Sequence, residues 1–240
     1  MKRQASSPMG APRHRSWAGL GGGQSLQLSG VRLGIGEQVL VGRLDATVAP
    51  GACLVVMGPS GCGKSSLLAW MAGTLDPVFS AAGRVMIGDD DLSGLPPQRR
   101  RLGLLFQDDL LFPHLTVAGN LLFALPPDVR PSAHRRATVE DALAQAGLAG
   151  MAARDPGTLS GGQRARVALL RTLLARPRAL LLDEPFGKLD ATLRGGFRQM
   201  VFDHAAARRL PMLLVTHDAA DADAAVAACG AQVLRLGEAA

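Results

Sequence analysis

Gly58-Pro59-Ser60-Gly61-Cys62-Gly63-Lys64-Ser65 meets every fixed position of the spacing G-x-x-x-x-G-K-[ST], a loop whose backbone N–H groups cradle phosphates. The glycines allow the chain to wrap a phosphate where a Cβ would clash. Lys64 offers a compact cation for β- and γ-phosphates, Ser65 a hydroxyl for Mg²⁺, and Ser66 follows in the helix that opens there. Farther along, Leu180-Leu181-Leu182-Asp183-Glu184 delivers two carboxylates to the end of an apolar strand, where α/β sheets bind ligands. Asp183 suits the metal, directly or through water, and Glu184 suits the water that attacks a phosphoryl group. An isolated Gln or His is ordinarily surface filler or structural. Gln107 ends a strand, however, within reach of metal and water, and His217 ends Leu213-Leu214-Val215-Thr216-His217, within reach of a γ-phosphate. His14, His134 and His204 have no such placement, and His114 reads as part of a contact surface.

A second glycine-rich turn, Leu159-Ser160-Gly161-Gly162-Gln163, precedes a helical run and then Leu180–Glu184. Helix N-termini attract anions through unpaired N–H donors and aligned peptide dipoles. This turn has no phosphate of its own to hold. The natural reading is that Ser160, Gly161, Gly162 and Gln163 close on nucleotide held by another copy of the chain.

These groups need a scaffold that brings strand ends together. Apolar strands at 53–57, 102–106, 179–183, 212–216 and 231–236 alternate with helices at 63–72, 161–175, 190–209 and 218–228. That alternation argues for a largely parallel α/β sheet covered on both faces. Two β-rich stretches, 26–33 and 38–48, come first. Strand signals vanish over about 108–160, where helical segments at 116–125 and 132–147 indicate an inserted helical lobe. Residues 1–24, rich in Gly, Ser, Pro and Arg, read as a flexible basic tail or as the product of a start codon placed too far upstream, leaving 25–240 as one domain.

Composition narrows the classes. At 240 residues and 48% apolar content, the chain can bury a real core. No run approaches the roughly 18 apolar residues that span a bilayer. Net charge is +6, almost all from arginine, which admits nucleic acid or an anionic membrane face but is partly the tail itself. Cys53, Cys62 and Cys229 form no metal spacing and fit a reducing compartment, with Cys62 as filler between two glycines.

With GPSGCGKS, FQDDLLFPHLTV, LSGGQRARVALLR, LLLDEPF and VTHD in this order, residues 26–236 resemble ABC-transporter ATPases. The likeness is greatest to the importer group handling thiamine, polyamines, iron or sulfate. It implies an α/β P-loop NTPase ABC cassette: a mainly parallel core sheet, an N-terminal antiparallel β subdomain and the inserted lobe. It further implies ATP and Mg²⁺ as cofactors and a head-to-tail homodimer, in which Ser160–Gly162 of one copy cover ATP on Lys64 and Ser65 of the other and Asp190 lies at the shared face. The lobe near 108–125 would dock an integral-membrane permease, served indirectly by a solute-binding protein, with the ATPase peripheral on the cytoplasmic face of the inner membrane. Three positions depart from the family pattern. Ile35 stands where an aromatic residue usually stacks on adenine, Gly187 where Ser or Ala usually precedes Asp190, and Gly119 where an acidic residue is frequent. The competing class is a cassette ATPase acting on nucleic acid or the ribosome. Against it, the gap between loop and signature is a compact lobe without heptads, and a single cassette is present.

Overall fold

The computed structural model describes residues 23–237. Most of the expected tail, residues 1–22, lies outside the described residues. Gly23 and Gln24 are tied to the body: the Gly23 N–H donates to the Arg209 carbonyl (3.1 Å) and Arg178 donates to Gln24 Oε1 (2.9 Å).

The chain runs β1 (Leu26–Ile35), β2 (Gln38–Val48), β3 (Cys53–Met57), α1 (Lys64–Ala72), β4 (Phe79–Ile87), β5 (Asp90–Asp91), α2 (Pro97–Arg100) and β6 (Leu102–Leu105). It continues α3 (Val117–Ala124), α4 (Ser132–Gln145), α5 (Gly161–Leu174), β7 (Ala179–Asp183), α6 (Ala191–Ala207), β8 (Met212–Val215), α7 (Ala219–Cys229) and β9 (Gln232–Arg235). Two sheets form. One is antiparallel, ordered β2-β1-β4-β5, and the other is parallel, ordered β6-β7-β8-β3-β9.

The central parallel strands are apolar along their whole length because helices or the other sheet cover both faces. Cys53–Met57 and Met212–Val215 are buried throughout, and β7 is buried up to Asp183. On one face, Leu54, Val56, Leu181 and Leu213 join Leu67 and Met71 of α1 and the inward residues of the antiparallel sheet. On the other, Val55, Leu180, Leu182 and Leu214 meet α5, α6 and α7 through Leu169, Phe197, Val201 and Ala225. The inserted lobe has its own core, in which Val117, Leu121 and Leu143 close on Val167 and Leu170 of α5. The single helix α5 therefore belongs to two cores at once.

Strands β4 and β5 are absent from the sequence expectation. FSAAGRVMI carries little apolar alternation, and five consecutive positions, Ser80–Arg84, are exposed. What makes it a strand is its antiparallel register with β1, from Leu26 opposite Ile87 to Ile35 opposite Phe79. Sheet pairing, a non-local term, overrode weak local propensity.

Candidate functional site

Strand register lines up the chemistry. Val56 is level with Val215, Val215 with Asp183, and Leu182 with Leu105. The residues that leave these strands at their C-terminal ends are the phosphate loop, Asp183-Glu184, Thr216-His217 and Gln107. They emerge side by side at one edge of the sheet, the place where open α/β sheets take ligands.

The loop from β3 into α1 is shaped for close backbone approach. Gly63 caps α1 with φ 94°, and a Cβ there would stand 2.9 Å from Leu40 Cβ of β2. No side chain caps this helix end. The first N–H groups of α1, on Lys64, Ser65 and Ser66, are thus open donors of the kind that can receive a phosphate. Lys64 is 7% exposed, and its Nζ donates to the carbonyls of Gly58 and Pro59, both at 2.8 Å, curling the ammonium back over the loop. Pro59, Ser60 and Gly61 are exposed at its rim, with Cys62 half-buried beneath.

Ser65 Oγ donates to Asp183 Oδ1 at 3.2 Å, across 118 positions of sequence. Burial pushes the Asp183 carboxyl above its ordinary range, and the nearby Glu184 charge adds to this while Ser65 and Lys64 oppose it. A hard cation at this pair would relieve that penalty, and a hydroxyl beside a carboxylate is an oxygen donor set suited to Mg²⁺, which keeps further positions for phosphate and water. Glu184 adopts φ 47°, left-handed backbone in which only glycine is unstrained. Its N–H donates to the Val215 carbonyl (2.9 Å), and its Oε1 lies 3.0 Å from His217 Nδ1. His217 is two-thirds exposed and Glu184 one-quarter, so the pair faces outward from the sheet edge. Gln107 also reaches this corner, with Nε2 3.2 Å from where a Cβ on Gly187 would stand. The glycine at 187 therefore leaves room for the Gln107 amide.

The second glycine-rich turn is built as its sequence suggests. Gln163 N–H donates to Ser160 Oγ (3.3 Å) and Ser160 N–H to Gln163 Oε1 (2.9 Å), a reciprocal capping box. This leaves the amides of Gly161 and Gly162 as the open donors. Gly162 is buried against α6, where an added Cβ would meet Leu193 Cδ1 at 2.7 Å. Asp190 caps α6 by accepting from the Leu193 N–H (3.0 Å). Gly161 and Gln107 line the same cleft of ≈ 500 Å³, together with Asp109, Leu111, Arg164 and Lys188. Ile35, at the end of β1, is half-buried and lies opposite both Gln38 and Phe79.

Several residues of consequence are not in the sequence reading. Arg164 donates to Asp109 Oδ2 (3.2 Å) and to the Leu159 carbonyl (2.7 Å). One heptad on, Arg171 donates to the carbonyls of Leu110 (2.8 Å) and Asp109 (3.2 Å) and lies over the Phe112 ring. Both hold the segment after Gln107 against α5. Their seven-residue spacing in LSGGQRARVALLR places them on one helix face, a signal that was readable. Asn120, fully buried, accepts from the Phe112 N–H and donates to the carbonyls of Phe112, Leu115 and Thr116, fixing the loop that opens the lobe. A Cβ at Gly119 would crowd Leu115 Cβ at 3.1 Å. Phe79 was missed because β4 was missed.

Among the described residues, no helix is long and apolar enough to cross a membrane, and no group of three or more His, Cys, Asp or Glu gathers as a metal cluster. Comparison with known proteins agrees with the geometry. The chain is 49% identical to the uncharacterized ABC transporter ATP-binding protein YnjD of Escherichia coli, over 83% of this chain and 91% of that one. It is 46% identical to the thiamine import ATP-binding protein ThiQ of Cereibacter sphaeroides, over 75% of this chain and 77% of that one. The sulfate/thiosulfate import ATP-binding protein CysA of Mycobacterium bovis is 42% identical over 78% of this chain, which spans about half (52%) of that longer protein. The family described as ABC transporter matches residues 41–187, from β2 through the Asp183-Glu184 strand to Gly187. A phosphate loop, an acidic strand end and a capped glycine turn on one cassette scaffold, together with these matches, place the chain in the ABC transporter family.

Proposed function

We propose that this chain is the ATP-hydrolysing subunit of an importer, with the domain beginning near residue 25 and its helical lobe at about 108–160. The observation that carries this is the junction of Ser65–Asp183 and Glu184–His217 at one sheet edge beside an uncapped α1 N-terminus. Phosphoryl transfer to water asks mainly for positioning and charge stabilisation. Lys64 would exchange the Gly58 and Pro59 carbonyls for β- and γ-phosphate oxygens. Glu184 would hold the attacking water and take its proton, with His217 fixing that carboxylate and touching the γ-phosphate. Ser65 and Asp183 would hold Mg²⁺, with Gln107 beside them; the ion would neutralise charge developing on the phosphates. The base would lie against Ile35 and, across the strand, Phe79.

Ser160, Gly161 and Gly162 of a second copy would complete the site, so the working form is a head-to-tail homodimer with Asp190 at the shared face. The apolar surface around Leu110, Phe112 and Phe123 suits a membrane permease, with Phe123 71% exposed and Leu110 57%. The dimer would then sit peripherally, on the cytoplasmic face of the inner membrane, serving a solute-binding protein only through the permease. The import names of the relatives support transport over action on nucleic acid or the ribosome. Steady-state ATP hydrolysis by Glu184→Gln tests the chemistry: its rate should fall about 10²-fold or more while ATP binding persists. A variant as fast as wild type removes Glu184 from the reaction.

A further inference from the structure

The turn after His217 is held by charged side chains to which the reading above assigns no part. Thr216, 1% exposed, accepts from the Asp218 N–H (3.1 Å) and donates from Oγ1 to Asp221 Oδ2 (2.8 Å). Asp221, 2% exposed, accepts on its other oxygen from Arg198 Nε (2.6 Å) and also meets Arg198 Nη2. Arg198 lies over the Phe186 ring, 5.7 Å from its centroid and two positions beyond Glu184. One helical turn earlier, Arg194 donates to Asp218 Oδ2 (3.0 Å) and to the Leu189 carbonyl (3.0 Å), next to Asp190.

Stability alone does not account for this arrangement. A buried ion pair is expensive to desolvate, and an apolar pair of similar volume is often as stable or more so. What the charges add is direction. Each Asp221 oxygen has a named donor, and one of those donors belongs to the residue preceding His217. The same two arginines reach the segment after Glu184 and the turn before α6, whose Leu193 abuts Gly162.

We propose that Asp221, held by Arg198, is a positioning residue: through Thr216 it sets the orientation of His217 toward Glu184. Arg194 ties that setting to the Leu189–Asp190 turn. The inference rests on the ATPase reading above and adds a second layer to it.

Asp221→Asn keeps the side chain's shape and removes the charge that orders Arg198. In the full chain it should lower kcat about 10²-fold, the scale of a roughly 1 Å misplacement, with ATP affinity changed by no more than about twofold. Added to His217→Ala, it should cost nothing further, because both changes act through one imidazole. The apolar pair Arg198→Met with Asp221→Leu should recover the melting temperature while kcat stays low, which a purely structural role would not produce. Wild-type kcat in Asp221→Asn overturns the inference alone. So does a full additive loss on His217→Ala, or recovery of kcat together with melting temperature in the apolar pair. A wild-type chain that hydrolyses no ATP overturns the ATPase reading and this inference with it.

Discussion

At the residue scale, the role proposed for Asp183 is set against stability. Its carboxyl is pushed above the ordinary range first by burial and next by the Glu184 charge, with Ser65 and Lys64 opposing. The ionised form is therefore the costly one in the fold. That cost is absent below the unfolded value of about 3.9 and complete above the raised folded value. Asp183→Asn should consequently melt at a higher temperature than wild type at neutral pH in Mg²⁺-free buffer. The gap should close as the pH approaches about 4, and hydrolysis should be lost throughout. Thermal melts across that pH range check it, and a variant that melts below wild type at neutral pH contradicts it. Lys64, Ser65, Asp183, Glu184, Gln107 and His217 were legible because each sits at a fixed offset from an apolar strand or a glycine. Thr216, Asp221 and Arg198 were not, because an Arg on α6 and an Asp on α7 reveal their pairing only when the helices pack.

At the scale of elements, α5 is the part that joins everything. Its N-terminus is the open glycine turn, its buried residues join one face of the parallel sheet to the core of the helical lobe, and Arg164 and Arg171 hold the segment after Gln107. The contact between α5 and α6 at Gly162 is close enough to be tested directly. Gly162→Ala places a methyl 2.7 Å from Leu193 Cδ1, the tip of a half-buried side chain, and should destabilise the fold by about 1 kcal/mol, the overpacking being partly offset by the better helix propensity of Ala. Leu193→Ala in the same chain should return part of that loss, as denaturant midpoints can show; unchanged stability in the single variant would mean α6 yields freely. Helices and parallel strands were readable to within two residues at most ends, since apolar runs and glycine stops mark them. The β4–β5 pair was not, because Ser80–Arg84 carry no buried face and owe their conformation to β1. Phe79, beside Ile35, went unseen for the same reason.

For the whole molecule, the two glycine-containing N-termini differ in what they still need. That of α1 is uncapped by any side chain and lies over Lys64, Ser65 and the acidic strand end. That of α5 closes its own capping box and leaves the exposed Gly161 on the cleft shared with Gln107, with Gly162 buried behind it against α6. In the proposed dimer each would be half of a site, and a second copy would bring the halves together. The most direct measurement is Ser160→Arg, followed by ATP binding, ATP-dependent dimerisation and hydrolysis in the same preparation. The composite site predicts that nucleotide still binds the monomer with nearly wild-type affinity, while the dimer and the hydrolysis are lost. Binding lost together with hydrolysis, or hydrolysis kept at the wild-type rate, would contradict it.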